Sequence, residues 1–174
     1  MADYRNLPIL RQALAHWQKM RGARPMPARR DFDPAEVPAL LPHVQLIDRV
    51  AGRYRYRLVG TELVQVFGRD YTGQFPDEMF SDNRGPFICQ VFDKVREARQ
   101  PMFLRSRYIT AKNLDFAANR LYLPLSEDGH EVNMILGVLT FDFGTIAPVA
   151  GAWGSAELAP DGSFLELVPV DGGG

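Results

Sequence analysis

The stretch from Tyr54 to Gly73, YRYRLVGTELVQVFGRDYTG, narrows the possible folds more than any other. The seven residues from Arg53 to Val59, at its start, alternate. Tyr54, Tyr56 and Leu58 fall on one face of a strand, and Arg53, Arg55 and Arg57 on the other. Gly60 ends the strand. Thr61 is placed to cap a short helix, TELVQVF, with Leu63, Val64 and Phe67 on its apolar side. Gly68 and Gly73 bound a loop where positive φ or a close backbone approach is expected. Asp70 suits tying that loop to backbone amides. A strand, a short helix and a glycine-bounded loop in twenty residues exclude an all-helical chain and point to an α+β domain.

The flanking sequence supplies the partners. Val44 to Val50 reads as a strand that turns at Ala51-Gly52 into the tyrosine strand. Before it, Leu7, Leu10, Leu14, Trp17 and Met20 recur at helical spacing up to Gly22, the stripe of an amphipathic helix. That stripe either packs on its own domain or forms an interface, and the two can coexist in a dimer. The RPMPARR stretch (24–30) reads as an extended linker with solvated arginines. Asp33-Pro34-Ala35-Glu36 opens a short helix that should end before Pro42. Downstream, Pro76 to Phe80 makes a helical turn. Arg84 to Arg99 forms a long helix with Phe87, Ile88, Val91, Phe92, Val95 and Ala98 on one side, set across a sheet. Strands follow at 102–110, 116–125 and 132–143, the last two joined by an Asp128-Gly129 hairpin turn. Pro124 implies an edge position or a bulge. The sum is an antiparallel sheet of five strands with helices on one face, preceded by the amphipathic helix. The divisions are 1–43 for helix and linker, 44–145 for the sheet domain and 146–174 for a Gly-, Ala- and Pro-rich extension. Phe164 to Val170 is the extension's one apolar patch, able to dock on the domain.

Charge and composition remove several classes of function. A net charge of −1 argues against a nucleic-acid binder. Cys89 is the only cysteine, so no internal disulfide forms, and a reducing, cytoplasmic location is expected. The start of the chain is not a secretory signal, and no window is apolar enough for a membrane span. His16, His43 and His130 lack metal-ligand spacing. No nucleophile elbow, P-loop, zinc-protease or dinucleotide motif occurs. No enzyme activity is therefore expected.

Four pieces together resemble the PAS fold, the sensor module of bacterial signalling proteins, and within it the small stand-alone PAS-like proteins. They are Trp17 with the arginine-rich linker and Phe32-Asp33-Pro34; Leu40-Leu41-Pro42 leading to Leu46-Ile47-Asp48; Tyr56-Arg57-Leu58-Val59-Gly60-Thr61; and Gly68-Arg69-Asp70 with Thr72-Gly73. The resemblance spans roughly 7–145 and implies a five-stranded antiparallel sheet with a cavity between it and the long helix. It fixes no ligand, and the cofactor stays unknown. The photochemical relatives carry a cysteine in a Gly-Arg-Asn-Cys-Arg-Phe motif, whereas Gly68-Arg69-Asp70 is followed here by Tyr71. Haem would need an axial ligand, and the long helix has no histidine. Cys89 reads as a buried, unreactive thiol.

The cavity implied in this way would be lined by Tyr56, Leu58, Phe67, Tyr71, Phe87, Val91, Phe103, Tyr108, Tyr122 and Leu136. The same residues could instead simply fill a core. Arg57, Arg69, Arg105 and Arg107 are the candidates to meet a carboxylate or phosphate, should any turn inward. The resulting expectation is a non-enzymatic sensory domain that binds a small molecule or a signalling protein partner and reports by conformational change, as a homodimer through the N-terminal helix. Two alternatives stay open. One is a structural interaction or dimerisation module with a filled core, or one using the arginine face at Arg53 and Arg55. The other is a small cavity enzyme built on Asp70 with Tyr71 or Tyr108.

Overall fold

A computed structural model of the chain describes residues 3–170. Helix α1 (Pro8–Arg21) is followed by short 3-10 turns at Arg29–Asp31, Pro34–Glu36 and Pro38–His43. Strands β1 (Val44–Val50) and β2 (Arg53–Val59) lead to α2 (Thr61–Phe67), α3 (Pro76–Met79) and α4 (Arg84–Ala98). The chain closes with β3 (Met102–Thr110), β4 (Asp115–Leu125), β5 (Met134–Asp142) and β6 (Ala156–Leu167).

The sheet is antiparallel with order β2-β1-β5-β4-β3-β6. Sequence-distant strands meet where Val44 of β1 lies opposite Val138 of β5. The α+β class is as read from the sequence, but the sheet has six strands, not five. The sixth comes from the extension: β6 pairs along β3, and Val168 beyond it is fully buried with its N–H donated to the Pro101 carbonyl. Its Gly- and Pro-containing sequence, AELAPDGSFLEL, hides the strand from a periodicity argument.

Helices occupy both faces. One face carries Tyr54, Tyr56, Tyr108, Arg120 and Tyr122, against α2 and α4. The opposite face carries Phe103, Leu121, Leu136 and Val138. There the Tyr4 ring lies 5.7 Å from the Phe103 ring, and α1 hands the Trp17 Nε1–H to the Pro124 carbonyl at 2.9 Å. Leu10, Ala13 and Trp17 are all buried, so the apolar stripe of α1 is spent on its own domain. Full burial of one such side chain stabilises by about 1.5–3 kcal/mol.

Several local expectations are corrected. Pro124 lies in an interior strand, yet the β3 ladder has ended at Tyr122. In a strand the N–H and C=O of one residue point the same way, and the Pro124 carbonyl points to Trp17. The donor that proline lacks would therefore have had no strand to meet. The cap of α2 is Gly60, not Thr61. The Gly60 φ is ordinary, but a Cβ there would stand 2.4 Å from the Leu41 carbonyl oxygen and 2.5 Å from that of Pro42. Backbone proximity therefore demands this glycine. The 3-10 turn Pro38–His43 runs through Pro42 instead of stopping before it. The β4–β5 connection is a wider loop than a tight Asp-Gly hairpin. Asp128 Oδ1 accepts the N–H groups of His130 (2.7 Å) and Glu131 (2.8 Å), and pairing resumes where the Asn133 N–H meets the Leu125 carbonyl. Gly68 and Gly73 do adopt positive φ, and Asp70 accepts the Thr72 N–H and hydroxyl, as expected.

Candidate functional site

The space between the tyrosine face and the helices is packed with rings. Tyr56 of β2 meets Tyr71 edge-on at 4.8 Å between centroids, and Phe67 of α2 meets Tyr71 at the same distance. Phe92 of α4 stands edge-on to Tyr54 (5.1 Å) and Tyr122 (5.3 Å). Edge-on pairs of this kind contribute roughly 0.5–1.5 kcal/mol each beyond their burial. The Tyr71 hydroxyl donates to Gln45 Oε1 of β1 at 2.9 Å.

The open side of this core is closed by the segment between β5 and β6. Its Trp153 ring packs on Phe67 (5.3 Å), Phe141 (5.4 Å) and Tyr71 (6.1 Å). The segment is tied to α2 by the Gly151 N–H on the Gln65 carbonyl and the Trp153 N–H on the Val66 carbonyl. Arg84, at the start of α4, donates to the Trp153 and Ala156 carbonyls.

Beneath Trp153 lies Arg120 of β4, with no solvent exposure at all. Its guanidinium sits 5.4 Å from the centroids of both the Tyr108 and Trp153 rings, and its Nη2 donates to the Tyr108 hydroxyl. Among the described residues its Nε and Nη1 have no hydrogen-bond partner. Leaving a buried cation unpaired is costly. The nearby tyrosines do not supply an anion, because burial pushes the Tyr56 and Tyr71 hydroxyls well above their ordinary value and raises Tyr122 too. Tyr54 is pushed up to about 12, first by burial and then by its hydrogen bond to Asp93.

The ten residues expected to line a cavity are split by the structure. Tyr56, Phe67, Tyr71 and Tyr122 come together in the ring cluster, and Tyr108 lies beside Arg120. Val91 is buried on α4. Leu58 is on the wrong face and 43% exposed. A bulge opposite Leu46 and Ile47 inserts Arg57 into the alternation and flips the residue after it. Phe103 and Leu136 are buried, but on the α1 face, because they pair out of phase with Arg120 and Tyr122. Phe87 is half-buried and lines an open surface cleft of about 530 Å³ with Arg84, Leu158 and Ser163.

The four arginines proposed for an anion all look elsewhere. Arg57 is exposed near Asp48, Arg69 lies over the Phe67 ring, Arg105 pairs with Asn119 and Asp142, and Arg107 pairs with Asp115. Arg120 is the inward one. A signal for it existed: it is the one charge inside FAANRLYLPL, a run otherwise almost wholly apolar. Gln45, Phe92 and Trp153 were also absent from the expected lining, Trp153 because its segment has no periodic pattern. Cys89 is half-buried rather than buried, and desolvation raises its thiol pKa, in keeping with low reactivity. No group of three or more potential metal ligands occurs among the described residues.

The family model for the PAS domain matches residues 5–140. The chain belongs to the PAS domain family. The match ends before the Trp153 segment and β6. Among curated proteins nothing matches. Solved structures similar to it include the crystal structure of the Rhodobacter sphaeroides LOV protein, at 12% identity and a TM-score of 0.45, covering 73% of this chain and 66% of that one. An RsLOV variant with an aspartate-to-glycine change is similar at 11% identity and a TM-score of 0.43, covering 78% and 69%. The chain thus spans somewhat under two thirds of the length of the first of these. No helix among the described residues is long and apolar enough to cross a membrane.

Proposed function

We propose that this PAS domain is a non-enzymatic, cytoplasmic sensory module that binds a small molecule or a protein partner and reports by conformational change. One observation carries the reading. The segment that seals the ring core through Trp153 runs directly into β6, the edge strand of the sheet, and is gripped by Arg84 at the start of α4. Any change in the core that moves Trp153 therefore moves an edge strand and a helix terminus, both accessible to a partner, a second copy of the chain included. Because α1 buries its stripe on its own sheet, a dimer through that helix would use its remaining partly buried residues, such as Leu14 and Met20. We take 44–145 as the sensory core, 1–43 as its flanking helix and linker, and 146–174 as the reporting extension.

The enzyme alternative loses its residue pairs. The Asp70 carboxylate is exposed and engaged by Thr72, while the Tyr71 hydroxyl is turned to Gln45 and that of Tyr108 to Arg120. The arginine face of β2 is neutralised by Arg53 on Asp77 and Glu78 and by Arg55 on Asp48, which weakens a docking role for it. Dense ring packing favours the second reading, an interaction module with a filled core. Mass spectrometry of the denatured full chain, a thermal-shift screen and light scattering separate the two. A co-purified compound or a stabilising one supports the sensor. A chain with neither, at fixed oligomeric state, refutes ligand sensing and favours the filled module.

A further inference from the structure

We propose that Arg120 is the anchor of a binding site for a small organic monocarboxylate with a flat, aromatic body. This deepens the sensory reading and rests on it. A guanidinium at the centre of a sheet face, fully buried, with Nε and Nη1 unpartnered among the described residues, has two donors left to offer an anion. The side chains against the guanidinium are aromatic: Tyr108 and Trp153 by ring contact, with Tyr56 and Tyr122 within electrostatic reach. The charge arithmetic selects one negative charge. A monoanion neutralises the single arginine, whereas a phosphate dianion would leave a buried charge uncompensated. A carboxylate accepts two donated N–H groups in a planar arrangement, the geometry guanidinium favours. The walls select the body: once the indole is displaced, Tyr56, Tyr71, Phe92 and Tyr122 leave ring faces and edges to a flat apolar group.

Access is through Trp153. Of the rings around Arg120, it alone belongs to the irregular segment between β5 and β6, and the others stand on strands of the sheet. The ligand takes the place of the indole over the guanidinium, and the displaced segment moves the start of β6.

The test titrates the full chain with benzoate, the neutral benzamide and inorganic phosphate, followed by calorimetry, thermal shift and Trp153 fluorescence, with Trp153→Phe as the optical blank. The expected result is that benzoate binds, raises the melting temperature and changes the Trp153 emission, while benzamide and phosphate do not. Arg120→Met should bind benzoate at least about tenfold more weakly, the loss of one charge-assisted contact, and should melt higher than the natural chain without ligand. The wild-type comparison of benzoate with benzamide stands even if that variant fails to fold. Equal binding of benzoate and benzamide, binding of phosphate alone, or no response to benzoate overturns the proposal. If benzoate fails but a neutral compound co-purifies, the carboxylate site falls and the sensory reading survives.

Discussion

Trp153→Ala tests whether the segment after β5 is a structural part of the PAS core or a loose cover. Trp153 is 5% exposed and touches three aromatic rings and Arg120. A tryptophan buries roughly 200 Å², and at about 25 cal/mol per Å² that corresponds to ~5 kcal/mol of transfer free energy. The alanine left behind retains a small part of it. The cavity raises the cost, and relaxation of an irregular, glycine-containing segment lowers it, so the net expectation is about 3–4 kcal/mol. With a urea slope of roughly 2 kcal/mol per molar, the unfolding midpoint should fall by about 1.5–2 M. Urea denaturation followed by far-UV circular dichroism measures it, because Trp17 remains as a confounding fluorophore. Hydrogen exchange should show faster exchange first at the Gly151 and Trp153 amides and then along β6, since the bonds to Gln65 and Val66 are made by the same segment. A loss below about 1 kcal/mol, with β6 protection unchanged, would refute the claim that Trp153 couples the ring core to the edge strand.

Gly60→Ala should destabilise by about 1–3 kcal/mol in chemical denaturation despite its ordinary φ, because the new methyl meets two carbonyl oxygens; a neutral or stabilising effect would show that the Leu41–Pro42 turn yields. Gly73→Ala has open space but φ +85, so it should cost about 1 kcal/mol through backbone conformation alone. His16 is 7% exposed; desolvation lowers its pKa below the ordinary 6.5, opposed by Glu36 with its carboxylate 3.9 Å away and by Asp33, and aided by Lys19. The unfolded chain therefore binds this proton more tightly, so stability is complete above about pH 6.5 and declines as the pH falls below it. His16→Gln should flatten that slope in denaturation midpoints taken between about pH 7.5 and 5. Loss from Asp128, held down to about 2 by the His130 and Glu131 amides, belongs to a lower window that opens as the pH falls through the ordinary carboxylate value and closes below about 2. Cys89, its thiol pKa raised by desolvation, should react with iodoacetamide well below the rate of the unfolded chain; equal rates would show an open site.

The sequence by itself determined most of the elements and many of their limits. β1 and β2 run where alternation put them, and Gly22, Gly68 and Gly73 stop or turn the chain by their own φ. It also determined the PAS family, because the strand-glycine-helix-glycine stretch and the Phe32-Asp33-Pro34 and Leu40-Leu41-Pro42 tokens are local. Local residue choices set such features, and they survive without knowledge of distant contacts. Tertiary structure decided everything that depends on pairing phase and on who lies opposite. A single bulge beside Leu46 sent Leu58 to solvent, and strand register sent Phe103 and Leu136 under α1. The sixth strand exists because β3 offered an open edge, which a Gly- and Pro-bearing segment of weak propensity could complete. The buried charge at the centre followed the same rule. Arg57, Arg105 and Arg107 on the strands and Arg69 in the loop after α2 all found acids, an amide or a ring partner instead. Arg120 alone was carried inward, because period-two alternation fixes only that neighbours differ in face, while pairing fixes which face is inside.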